Sequence, residues 1–296
     1  MSTQAVALPL ATTAPARVRS PRARMLRVFG GNRIALVGLI LALLVVGAAV
    51  GAPLVTSIDP YEQSAASRLD GPDALHIMGR DTFGRDIFAR VLYAGRVSLV
   101  VGVGSVALGG AIGTILGLVA GYNGRWLENL VMRFVDVLMA FPSLLLGLTV
   151  LAVLGAGLDK MIVAIGLVLA PPFARVVHGA TLSLRRREFV EAAQCLGASQ
   201  VRVVVRHILP NLLGETVVLA SLLTASAIRT EASLSFIGLG VAPPTPTWGN
   251  MIRDGAPLLL NAPWLSVFPG LAILVTVLAF NLIGDGLRDL LDPRAV

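Results

Sequence analysis

The chain has 296 residues, 55% of them hydrophobic and 14% charged, with a mean hydropathy of +0.81 and a formal net charge of +7. So few charges exclude an ordinary soluble domain, where about a quarter of residues are charged. The positive excess lies in arginines at the ends of apolar runs, a pattern of membrane topology that excludes nucleic acid as its cause.

Residues 1–31 are rich in Ala, Pro and Arg and lack apolar periodicity, so they read as a disordered basic tail. Arg17, Arg19, Arg22, Arg24 and Arg27 would lie near anionic lipid. The apolar run from Ile34 to Val55 is too long for a signal-peptide core and reads as an uncleaved first span. Five further spans are predicted near Val97–Tyr122, Leu130–Leu154, Met161–Leu182, Leu213–Gly240 and Leu265–Leu287, each long enough to cross a bilayer. The expected fold is therefore an all-α membrane protein with six transmembrane helices. The arginines before the first span, those between the fourth and fifth, and Arg288 and Arg294 all fall on one side, so both termini are expected in the cytoplasm. This divides the chain into the tail (1–31), the first span with an outer segment (32–96), and a five-helix core (97–296) with a cytoplasmic loop at about 183–212.

The outer segment holds a near-repeat, Gly79-Arg80-Asp81 and Gly84-Arg85-Asp86. The glycines suit turns, and Asp86 suits the start of a helix, where its carboxylate can take orphan backbone N–H groups. These charges read as scaffold in preference to solute contacts. In the second span, Gly109, Gly113 and Gly117 recur every four residues and predict a close helix contact. No phosphate-binding Lys-Ser or Lys-Thr follows them, so no nucleotide site is expected on this chain.

Arg133 and Asp136 lie three apart at the start of the third span and can pair; with a kink at Pro142 they would border the translocation path. Pro171-Pro172 is expected to interrupt the fourth span. His76, His178 and His207 lie on separate segments, and no catalytic or metal-ligating constellation is expected. The single Cys195 can form no internal disulfide.

The text RRREFVEAAQCLGASQVRVVVRHILPN is polar, basic and helical in pattern. Two short helices broken at Gly197 would make an elbow, and Pro210 would stop the second before the next span. In the fifth span, Arg229 and Glu231 lie at hydrocarbon depth, so Glu231 is expected inside the bundle or on the solute path. Trp248 and Gly249, in a stiff Pro243-Pro244-Thr245-Pro246-Thr247 context, read as an outward loop. Trp248 and Trp264 are candidate interface anchors, and Trp248 with Gly249 a candidate docking point for an outer partner.

Glu191-Ala192-Ala193, Gly197, His207 and Leu209-Pro210 together resemble the coupling loop of permease subunits of binding-protein-dependent ABC importers. His207 stands where Ile is usual, and Arg206-His207-Ile208-Leu209-Pro210-Asn211 is similar to the dipeptide, oligopeptide and nickel branch. That likeness extends through Arg133, Asp136, Ala140, Phe141 and Pro142, through Thr230-Glu231-Ala232-Ser233-Leu234-Ser235-Phe236, and on to Gly284-Asp285-Gly286. Arg229 departs from it, because an apolar residue is usual there.

The resemblance implies a type I importer permease fold in a bacterial inner (plasma) membrane and no enzymatic activity on this chain. It implies a second homologous permease, two cytoplasmic ATPase subunits carrying ATP and Mg, and an extracytoplasmic substrate-binding protein. Glu191, Ala192, Ala193, Gly197, His207, Leu209 and Pro210 would contact the ATPase. The solute would be a di- or oligopeptide, with nickel chelates, glutathione or sugars as alternatives on the same scaffold. A self-contained secondary transporter is the rival class, but it would need coupling-ion sites and internal repeats.

Overall fold

A computed structural model of the chain describes residues 33–291. The basic tail, and with it the expectation of disorder there, lies outside the described residues, as does Arg294. The elements are helices: α1 (Arg33–Val50), α2 (Ala52–Val55), α3 (Ile87–Asn123), α4 (Arg125–Ala140), α5 (Ser143–Leu154), α6 (Leu158–Arg185), α7 (Glu188–Cys195), α8 (Gln200–Val203), α9 (Leu209–Ile237), α10 (Trp248–Gly255) and α11 (Trp264–Leu291). Among the described residues five helices are long and apolar enough to cross a membrane: α1, α3, α6, α11 and the continuous rod Gln200–Ile237 that joins α8 to α9. A sixth is reached when α4 and α5 are taken as one broken span.

Among the described residues four apolar clusters form the core, a small one of Ala120, Met132, Val135 and Ala174 joining α4 to α3 and α6, and three that run along the bundle. At one end Leu118, Tyr122 and Val177 pack on Val190, Val203 and Ile208 of the elbow. The middle holds Val101, Ile165, Leu169, Phe173 and Leu234. At the far end Ile87, Val91, Ile228, Trp248, Met251 and Leu265 close the core. With 37 residues, α3 is about 55 Å long, so it passes through all three and outruns a hydrocarbon core of about 30 Å.

The glycine face of α3 lies against the backbone of α6. A Cβ added at Gly109 would come 2.6 Å from the Gly166 oxygen, and one at Gly117 would come 2.7 Å from that of Ala174. Gly113 meets the Ala170 oxygen more tightly still. Dispersion at this range drives membrane helices together where water exclusion cannot.

The kink expected at Pro142 is present and sharp: Phe141 is forced to an extended conformation (φ −81°, ψ 138°) by the following Pro142, and α4 and α5 meet at 97°. Two other backbone expectations are corrected. Pro171-Pro172 does not interrupt α6, which runs unbroken from Leu158 to Arg185. The seam with α3 grips α6 on both sides of the prolines, and in a bilayer no water competes for the freed carbonyls. Nor does Pro210 stop the elbow's second helix. Leu209 N–H bonds to Val204 O, five residues back, and this wider π turn gives the proline ring room before α9 continues.

The far-end segment is tied down by its charges. Asp86 caps α3, its Oδ1 accepting from Ala89 N–H at 2.6 Å. Its Oδ2 accepts from His76 Nδ1 at 2.7 Å, while the Arg80 guanidinium, which can only donate, faces His76 Nε2 and so fixes the tautomer. Arg96 donates to the Ala49 and Val50 carbonyls at 2.7 Å each and satisfies the last turn of α1. Gly79 and Gly84 both have positive φ, as expected of turns.

Candidate functional site

The elbow is built as a two-faced surface. Leu196 caps α7 and Gly197 follows with φ +79°. Gly197 N–H bonds to Gln194 O at 2.9 Å and Ala198 N–H to Ala193 O at 3.1 Å, the paired bonds of a Schellman ending. Ser199 then starts α8 by accepting from Arg202 N–H. On the inner face Val190, Ala193, Val203, Ile208 and Leu212 are buried, and Gln194 reaches the Tyr122 hydroxyl. On the outer face Glu191 and Ala192 are exposed, and so are Phe189, Leu196 at 89%, Val201 at 73% and Val205. His207 lies in the π turn, where its carbonyl accepts from Asn211; Leu209 is half-buried and Pro210 exposed.

Sequence reasoning named Glu191, Ala192 and Gly197 but missed Phe189, Leu196, Val201 and Val205. The signal was available: large apolar residues at positions that the helical period assigns to the polar side of a basic segment. Exposed apolar side chains in such a setting mark a surface awaiting a partner.

The residues expected along a path do not form one cluster. Asp136 does not pair with Arg133; it forms an ion pair with Arg175 of α6. A second pair, Glu128 with His178 Nε2 at 2.8 Å, also joins α4 to α6. Arg133 and Pro142 are exposed. α4 packs along α6, and it is this neighbouring helix that brings Arg175 and His178 to the carboxylates of Asp136 and Glu128.

Glu231 is fully buried between α3 and α9. Its Oε2 accepts from Ser98 Oγ at 2.8 Å and its Oε1 from Ser235 Oγ at 2.7 Å. Ser98 was not anticipated as its partner, because nothing local links positions 133 residues apart in the chain. Arg229, two residues earlier, points to a different side, is exposed, and bonds to Ser226.

The outward loop of the sequence reading is in part a helix. Thr247 and Asn250 form a reciprocal capping box that starts α10, a signature legible as Thr-x-x-Asn. Trp248 is 2% exposed and donates its Nε1–H to Val91 O at 3.0 Å, so it is a core residue and not an interface anchor. Gly249 is buried against the backbone of Ala232. The expectation that these two residues present themselves to an outer partner is therefore corrected.

Residues 113–296 match the family described as binding-protein-dependent transport system inner membrane component. Residues 20–72 match the N-terminal TM domain of oligopeptide transport permease C. The dipeptide transport system permease protein DppC of Alkalihalophilus pseudofirmus is 45% identical over 263 residues, covering 89% of this chain and 86% of that protein. The glutathione transport system permease protein GsiD of Pectobacterium atrosepticum is 42% identical over 278 residues, covering 94% and 92%. Among solved structures, an inward-facing MetNI methionine ABC transporter chain aligns with a TM-score of 0.55 at 20% identity, covering 68% of this chain and 95% of that one. That likeness concerns the fold.

Proposed function

Because this chain belongs to the family of binding-protein-dependent transport system inner membrane components, we propose that it moves a di- or oligopeptide inward across a bacterial inner membrane. Permease subunits of this kind are the non-catalytic membrane parts of ABC importers. A self-contained secondary transporter is thereby set aside. The assembly we propose contains a second homologous permease, two cytoplasmic ATPase subunits that bind ATP and Mg, and an extracytoplasmic substrate-binding protein. The elbow faces the cytoplasm and the 56–96 segment faces outside. Glu191, Ala192, Ala193, Gly197, His207, Leu209 and Pro210 belong to the ATPase-coupling region, Glu191 at its surface and Ala193 and Gly197 in its frame. Arg133, Asp136 and Pro142 border the path on the cytoplasmic side.

The observation that carries this reading is the two-faced elbow: one face locked into the bundle, the other exposing Glu191, Leu196, Val201 and Val205. A push on the exposed face reaches the core directly, because α8 and α9 form one 38-residue rod. Two packings of such a rod, biased by a partner's nucleotide state, suffice for alternating access.

Glutathione is a second reading, favoured by the 42% identical GsiD relative. Uptake into proteoliposomes holding the whole importer with its substrate-binding protein decides between them. Saturable, ATP-dependent uptake of a labelled dipeptide that excess glutathione does not compete supports the peptide reading. Uptake of glutathione alone replaces it.

A further inference from the structure

Away from the elbow, α10 and the Pro243-Pro244 stretch stand over residues 82–90 and leave a pocket of about 600 Å³. That size is typical of a site for a small solute. Its wall carries Arg85, Arg90, Arg253 and Asp254, with Phe83, Pro243 and Pro244 as the apolar part. Behind the arginines, Asp81 accepts from Arg85 Nε at 2.6 Å and lies 3.5 Å from Arg90 Nε. Three guanidinium groups thus face two carboxylates, which leaves one positive charge in excess.

The two inner arginines are built into the frame. They are 7% and 3% exposed, and Arg90 also donates from Nη1 to the Pro60 carbonyl at 3.2 Å. Among the described residues, both Nη groups of Arg85 and Nη2 of Arg90 have no hydrogen-bond acceptor, although both side chains line the pocket. Arg253 lies at the rim and, among the described residues, is bound only to its neighbour Asp254 at 3.1 Å. Immobilised guanidinium forks beside an apolar wall suit a carboxylate, and one positive charge in excess matches one carboxylate group. An acidic side chain of a docking protein would leave most of this volume empty, whereas a short peptide would occupy it.

We propose that this pocket holds the carboxylate of the transported solute, the C-terminal group of a short peptide, between its release by the binding protein and its passage into the bundle. The proposal rests on the importer reading and on a peptide solute. Its test uses the whole importer in nanodiscs without binding protein, probed with labelled dialanine and with dialanine amide.

The free acid should bind about tenfold more tightly than the amide, as expected for loss of a charge-assisted hydrogen bond. Arg253→Gln should bring the acid down to the level of the amide, and Arg253→Lys should keep part of the difference. Equal binding of acid and amide, absence of acid binding at millimolar concentration, or an unchanged preference in Arg253→Gln overturns the proposal. So does a variant whose affinity for the empty binding protein falls tenfold while peptide binding stays intact, since the carboxylate would then be the docking protein's. Dipeptide uptake with the binding protein present, measured in parallel, tests the peptide reading by itself. Normal uptake without an acid preference removes the pocket and leaves that reading standing.

Discussion

Ser98 on α3 donates to Glu231 on α9 at 2.8 Å and so joins two helices through a carboxylate with no exposed surface. Ser235 supplies the second bond, and Arg229 takes no part. Because Glu231 is held by its own chain, its first duty is to fix the packing of α9 on α3. Replacing it by Ala strands two buried hydroxyls at a cost of about 1–3 kcal/mol. We expect Glu231→Ala to lower the melting temperature of the detergent-purified chain and the yield of assembled importer, with Glu231→Gln milder in both. An Ala variant that melts with the wild type would remove the clamp.

The seam between α3 and α6 admits no side chain. Gly117→Val would press on the Ala174 oxygen and on Val177, and overpacking of this kind costs about 1–3 kcal/mol. Gly179→Ala, on an open face of α6 with nothing within 4 Å, should be neutral or stabilising by about 0.5–1 kcal/mol. Thermal stability by size-exclusion chromatography reads both. Equal behaviour of the two variants contradicts the seam.

At the elbow, Glu191→Lys and Leu196→Asp should abolish uptake and co-purification of the ATPase while leaving membrane insertion unchanged. Both side chains are exposed, so neither change disturbs the core. Gly197 has free space around it, and only its positive φ restricts it. Gly197→Asn should therefore be nearly silent, and Gly197→Val should cost about 1–2 kcal/mol locally and impair uptake. Normal transport by Glu191→Lys sinks the coupling role.

Topology can be read with an impermeant thiol reagent in a Cys195→Ser background. Ser67→Cys should label in intact cells, and Ser20→Cys should label only after permeabilisation. Labelling of position 20 from outside reverses the orientation proposed for the elbow.

Much of the fold is legible from apolar runs, because a bilayer makes a continuous hydrophobic helix the default solution. The Gly197 ending, the Asp86 cap and the glycine face of α3 were legible for a second reason: each depends on local backbone chemistry. What escaped depends on partners distant in the chain. Asp136 meets Arg175, and not Arg133, because α4 packs against α6, a helix distant in the chain. Trp248 is a core residue because Ile87, Ile228 and Met251 pack around it and Val91 offers its indole N–H a carbonyl. Propensity placed stops at Pro171-Pro172 and Pro210, and packing in one case and a π turn in the other overrode it.

Where α3 meets α6 at Gly109, Gly113 and Gly117, the glycine backbone lies directly on the backbone and Cβ atoms of α6, which leaves little room to part them. The two therefore count as one moving part. Rearrangement in a transport cycle is left to other joints: the 97° corner between α4 and α5, the half-exposed charge pair of Asp136 with Arg175, and the contacts of the α8–α9 rod. Pro171 and Pro172 lie within this closely packed seam, so prolines that elsewhere mark a hinge sit here in an unbroken helix held against its neighbour.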